Sequence, residues 1–152
     1  MLCVSALPIP HAEQELSPTF EPREGRLKPA LRPTAFVIDD EPIIADTISQ
    51  ILRLSGFHAL PFYSGKSAIE QANFQCPSVV ITDVAMPDLN GIETAKLLMK
   101  SCPSTIILLL LSGQAAAKEM IRNVRSEGFH FELLAKPLPP DDLLSALHRR
   151  RL

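Results

Sequence analysis

Residues 79–91 read VVITDVAMPDLNG: an unbroken apolar run, then Thr82, then Asp83, then a loop holding Pro87, Asp88 and the pair Asn90-Gly91. A run of that kind suits a parallel strand covered by helices on both faces. Two more lie in the same chain, FVI at 36–38 and IILLLL at 106–111. Outward from these, short apolar runs alternate with amphipathic stretches from Thr34 onward, the pattern of alternating strands and helices. Strands are predicted at Ala35 to Ile38, His58 to Phe62, Ser78 to Thr82, Thr105 to Leu111 and Phe131 to Ala135. The three continuous runs are expected at the centre of the sheet. HALPF, with its histidine and proline, belongs at an edge, and FELLA at the other.

The intervening stretches carry helical periodicity. Ile44, Ile48, Ile51 and Leu52 fall on one face, and Ala117, Met120, Ile121 and Val124 on another, so both helices are expected to turn these residues to the core. The last helix has Asp141 and Asp142 in its first turn and Arg149, Arg150 and Arg151 in its last, which suits the helix dipole at both ends. Three arginines are too few for a track along nucleic-acid phosphates.

Composition narrows the class. The chain has 152 residues, 46% of them hydrophobic, enough for one domain with a real core. Its 15 basic and 17 acidic residues leave a net charge of −2, so direct DNA binding is not expected. The longest apolar run, Ile106 to Leu111, is far short of the roughly 20 residues of a membrane span. Cys3, Cys76 and Cys102 are odd in number and form no CxxC pair, which suggests neither a disulfide framework nor a zinc site and fits a reducing cytoplasm. Six of the 14 prolines fall within residues 1–33, with no sustained periodicity between them. That segment is expected to be disordered, and residues 34–152 to form the folded domain.

In a doubly wound sheet the ligand site lies beyond the carboxyl ends of the strands. Four of the five predicted exits carry polar chemistry: Asp39 and Asp40, Asp83, Ser112, and Lys136. Each alone has a plainer use. The aspartate pair ahead of Pro42 could serve a helix N-terminus, Ser112 could cap the next helix, and Lys136 could be a surface lysine. Together they change the reading. Three close carboxylates repel one another and call for a cation, and an all-oxygen donor set suits Mg²⁺. One carboxylate is then available as nucleophile toward a phosphoryl group, a transfer that rests on positioning and charge neutralisation.

The motifs FVIDDEP, VVITDVAMPDLNG, LLLLSG and LLAKP, in this order from Thr34 to the end of the chain, resemble the receiver domain of response regulators in bacterial two-component signalling. The resemblance implies a flavodoxin-like α/β fold, a doubly wound sheet of five parallel strands in the order 2-1-3-4-5 with helices on both faces. It makes Asp83 the phosphoacceptor, Asp40 a direct Mg²⁺ ligand, Asp39 a second or water-mediated ligand, and the backbone carbonyl of Ala85 a further one. Lys136 would pair with the phosphoryl group, Ser112 would hydrogen-bond it once formed, and Pro137 would follow a cis peptide bond. The implied donor is a sensor histidine kinase or a histidine phosphotransfer protein, and the implied output is a changed surface for a downstream protein or onward transfer of the phosphoryl group. A single-domain regulator is expected, and a homodimer is compatible with the sequence.

Three positions depart from the family's usual pattern. Leu133 stands three residues before the lysine where Tyr or Phe is common, and Phe131, two residues earlier on the same strand face, either takes that role or is plain core. Ala85 cannot hold an attacking water, whereas Gln114 could, so the two bear oppositely on the lifetime of the phosphorylated state. Two other readings compete: a pseudo-receiver that only binds partners, and a phosphatase of the haloacid-dehalogenase type. The latter places its nucleophile in a DxD motif after the first strand, where this chain reads Asp39-Asp40-Glu41.

Overall fold

The computed structural model describes residues 31–111 and 115–152. Among these residues lie the strands β1 (Thr34–Ile38), β2 (His58–Phe62), β3 (Val79–Asp83), β4 (Ile106–Leu111) and β5 (Glu132–Ala135). They alternate with the helices α1 (Pro42–Leu54), α2 (Gly65–Ala72), α3 (Gly91–Ser101), α4 (Ala115–Ser126) and α5 (Pro140–Arg149). All strand pairings are parallel and the order is β2-β1-β3-β4-β5, as the sequence predicts. The continuous apolar runs occupy the centre. The proline of HALPF stands on edge strand β2, where one side of the strand needs no partner. Five boundaries shift by one residue: Thr34 joins β1, β3 runs from Val79 to Asp83 at both ends one residue later than predicted, β4 starts at Ile106, and Phe131 precedes β5.

Alternation along the strands builds a core on each face of the sheet. Phe36, Ile38 and Val80 pack with Ala68, Ala95 and Leu98 on one side. On the other, Val37, Ile81 and Leu108 pack with Leu52, Leu143 and Leu147. Each large side chain so buried contributes about 1.5–3 kcal/mol relative to exposure. The sheet is thereby held from both faces, and its carboxyl edge is left for chemistry.

The helix ends follow local rules. Pro42 and Pro140 open α1 and α5, where the absent N–H costs nothing. Ser64 caps α2 by accepting from Ser67 N–H at 3.2 Å, and Asn90 caps α3 by accepting from Glu93 N–H at 2.9 Å. Asp141 and Asp142 sit in the first turn of α5. Its arginines do more than match the dipole, because Arg149 and Arg150 both reach Glu132 of β5 at 3.0 Å.

Two expectations need correction. In α1 the buried face is Ala45, Ser49 and Leu52, while Ile44, Ile48 and Ile51 are only half-buried. The small residues take the centre of the contact and the isoleucines flank it. The cysteines are the second case: Cys76 and Cys102 are joined in a disulfide, with Cα atoms 5.6 Å apart and a sequence separation of 26. Sequence spacing hides this pair because β3 and α3 intervene, and α3 returns its C-cap residue Cys102 to the connection before β3. Of the face predicted for α4, Met120 is half-buried and Val124 buried, and the side chains of Ala117 and Ile121 lie outside the described residues.

Candidate functional site

The site grows from strand register. Ile38 of β1 stands beside Thr82 of β3, so the next residues, Asp39 and Asp83, emerge side by side at the carboxyl edge. Asp39 N–H continues the ladder by donating to Phe62 O at 3.0 Å. Lys136 follows β5, two strands from β3, a span of roughly 10 Å that a lysine side chain bridges. Its Nζ lies 3.1 Å from Asp83 Oδ1 and 3.4 Å from Asp39 Oδ2.

Burial makes this contact matter. Asp39 is 1% exposed and Asp83 5%, and carboxylates so far from water need compensation. Burial pulls the Lys136 ammonium toward losing its proton, but Asp83 and then Asp39 outweigh it and raise its pKa above the ordinary lysine value. It therefore stays charged. Asp39 Oδ1 also accepts from Glu41 N–H at 3.0 Å, so the helix-entry use foreseen for this residue coexists with the lysine contact. Asp83 Oδ1 is less well served: the ammonium is within ion-pair distance, yet among the described residues the oxygen has no well-directed hydrogen bond.

Asp40 is exposed beside this pair, and Asp39, Asp40 and Asp83 can each turn a carboxylate oxygen to within 4.8 Å of the others. An all-oxygen set with an under-satisfied buried oxygen is the donor chemistry of a hard divalent cation. The residues present fit such an ion.

The loop after Asp83 is clamped by one carbonyl: Val84 O accepts from Met86 N–H at 3.2 Å and from Gly91 N–H at 3.1 Å. Met86 turns inward and Ala85 is exposed. Gly91 touches the backbone of the strand end, where an added Cβ would stand 2.7 Å from the Asp83 carbonyl carbon and closer still to its oxygen. Any larger residue there would press on the backbone of the strand end. The Asn90-Gly91 pair marks the end of this loop in the sequence, and its close approach to the strand end is what the structure adds.

Of the remaining predicted residues, Pro137 follows a cis peptide bond from Lys136. Phe131 and Leu133 both pack against the core cluster around Val124, and Phe131 stacks on Phe129 with ring centroids 5.9 Å apart. With Ile92 and Met120 they line a void of about 10 Å³. Ser112 and Gln114 lie outside the described residues. A feature not foreseen is an apolar cleft of about 860 Å³ beside Lys136, walled by Ile44, Ile48 and Ile51 of α1 and by Pro137 and Leu138. The isoleucine stripe was its sequence signal, read instead as core.

Comparison with known proteins gives a consistent picture. Residues 35–148 match the family model described as response regulator receiver domain. The chain is 33% identical over 120 residues to a Mycobacterium tuberculosis protein named probable transcriptional regulatory protein TcrX, covering 77% of this chain and 50% of that one. It is 32% identical over 112 residues to the Escherichia coli transcriptional regulatory protein CreB, covering 74% and 48%. The chain thus spans about half the length of these relatives. Among solved structures, the Vibrio cholerae chemotaxis protein CheY4 superposes with a TM-score of 0.69 at 27% identity, covering 78% of this chain and 98% of that one.

Proposed function

The chain belongs to the response regulator receiver domain family, a family of signalling proteins, and on that premise we propose that Asp83 accepts a phosphoryl group from a phosphohistidine. The donor is a sensor histidine kinase or a histidine phosphotransfer protein. The observation that carries this reading is the buried Asp83 carboxylate at a strand end, with the Lys136 ammonium 3.1 Å away.

The reaction follows from those groups. An Asp83 carboxylate oxygen attacks phosphorus, the P–N bond to the donor imidazole breaks, and the departing ring nitrogen keeps the electron pair and takes a proton from solvent. The transition state spreads charge over the phosphoryl oxygens, so a fixed cation lowers its energy without reorganisation. Lys136 is held for that by Asp39 and Asp83. Asp39, Asp40, Asp83 and the Ala85 carbonyl would hold Mg²⁺, which would supply further positive charge at this site. Asp39 keeps the lysine oriented through Oδ2 while Oδ1 stays engaged by Glu41 N–H. Ser112 hydrogen-bonds the phosphoryl group once it is formed.

In this reading residues 34–152 are the receiver and residues 1–33 a proline-rich leading segment. Phosphorylation changes the surface offered to a downstream protein or passes the group to another histidine, through the region of Leu133 and Phe131. In this reading the receiver acts in the cytoplasm, and residues 34–152 do not themselves contact DNA. Among the described residues no helix is long and apolar enough to cross a membrane. The test is incubation with acetyl phosphate and Mg²⁺ followed by intact mass. One phosphoryl adduct is expected, absent without Mg²⁺ and absent in Asp83→Asn. No adduct with any donor would favour the interaction-only module, and an adduct retained in Asp83→Asn would move the acceptor elsewhere.

A further inference from the structure

Cys76 and Cys102 lie at the opposite end of the sheet from Asp83, because β3 starts at Val79, just after Cys76, and runs away to Asp83. We propose that this pair is a reversible dithiol–disulfide modification site, closed and opened by exchange with small-molecule disulfides and dithiols, and independent of phosphoryl chemistry.

The backbone on both sides is fixed without the covalent bond. Cys102 N–H donates to Leu98 O at 2.7 Å as the cap of α3, and Thr105 N–H donates to Cys102 O at 3.1 Å. On the other side Ser78 N–H donates to Thr34 O at 2.8 Å. A buried hydroxyl ties the two connections together directly, Thr105 Oγ1 donating to Pro77 O at 2.7 Å. The Cα separation of 5.6 Å is within the range a bridge spans with no backbone movement. Open and closed states therefore share one frame, and the thiols stay within reach of each other after reduction.

Exposure sets the order of events. Cys76 is exposed, whereas Cys102 is 2% exposed, so exchange with a solute enters at Cys76. On oxidation the Cys76 thiolate attacks one sulfur of a small disulfide, whose S–S bond breaks and releases one thiolate. Cys102 then gives up its proton, attacks Cys76 Sγ and expels the second small thiol. Two protein thiols and one small disulfide become one protein disulfide and two small thiols, and a dithiol reverses the sequence. The ring so closed contains β3, Asp83, the loop after it and all of α3. Oxidation thus restricts how far this segment opens in the unfolded chain and leaves the folded frame as it is.

The experiment uses the full chain with Cys3→Ser, reduced with dithiothreitol, exposed to oxidised glutathione and read by thiol alkylation and intact mass. The expected result is loss of two hydrogens and both alkylation sites, restored by dithiothreitol without denaturant. Cys102→Ser, or Cys102→Ala should the serine variant fold poorly, should take one glutathione on Cys76, and Cys76→Ser should take several-fold less. The oxidised form should melt roughly 10 °C above the reduced form, with no redox effect in the double serine variant. Two thiols that both stay alkylatable after oxidised glutathione would overturn the proposal. So would a bond that opens only in denaturant, or an adduct that prefers Cys102.

Discussion

Gly91→Ala is the substitution whose sign the geometry decides. At the first residue of an ordinary helix this change stabilises a protein by about 0.4–1 kcal/mol, because alanine has less unfolded-chain entropy to lose. Here the new Cβ would stand 2.7 Å from the carbonyl carbon of Asp83 and 2.9 Å from Val84 Cα. Both neighbours are backbone, so no side-chain rotation relieves the contact. Overpacking of this kind costs about 1–3 kcal/mol. With the entropic gain subtracted, a net loss of roughly 1–2 kcal/mol follows. For a folded unit of about 120 residues, near 2.1 cal/mol/K per residue, that lowers the melting temperature by about 4–8 °C. The strand end that carries Asp83 must also shift, which disturbs the 3.1 Å contact with Lys136, so phosphoryl incorporation from acetyl phosphate should slow several-fold. Urea titration and intact-mass time courses read both effects. A Gly91→Ala protein as stable as the parent or more so would refute the close-approach argument.

Three further outcomes follow from particular contacts. Ser49 is fully buried in α1 with no partner for its hydroxyl among the described residues, so Ser49→Ala should stabilise the protein by up to about 1 kcal/mol in urea titration. Burial alone would push the Glu132 carboxyl up, but the Arg149 and Arg150 guanidiniums more than offset it and hold its pKa below 4.5. A folded-state value below the unfolded one adds stability above pH 4.5 that is lost as pH falls through the folded value. Glu132→Gln should cost only about 0.5–1 kcal/mol at neutral pH, since the arginine side chains are 62% and 50% exposed, and the gap from the parent should close in acid. Saturating Mg²⁺ should raise the melting temperature, by about 2.7 kcal/mol of stability at a hundredfold excess over its Kd, and the shift should shrink in Asp40→Asn; equal shifts in both proteins would remove Asp40 from the ligand set.

The central strands were legible because buried parallel strands must be apolar throughout, and 36–38, 79–81 and 106–111 are such runs. The site followed from them: once each strand end was located, the residues after it had to gather at one edge, and Asp39, Asp83 and Lys136 do. What stayed hidden depends on close approach rather than periodicity. α1 packs through Ala45, Ser49 and Leu52, with Ile48 against the edge of the core, so of the predicted stripe Ile44 and Ile51 are left half-buried along a cleft that Ile48 also lines. The Cys76–Cys102 pair and the Gly91 contact likewise need the crossover of α3 before they exist in space. The Lys136–Asp39 contact joins residues 97 apart, visible only once strand order is known.

The most direct test of the central claim is to locate the phosphoryl group on the chain. After transfer in Mg²⁺, hydroxylamine converts an acyl phosphate to a hydroxamate that survives digestion, and tandem mass spectrometry reads its position. The account predicts one hydroxamate, on Asp83, within the peptide that carries VVITDVAMPDLNG. A phosphoryl group that resists hydroxylamine, or a hydroxamate on Asp39 or Asp40, would contradict it.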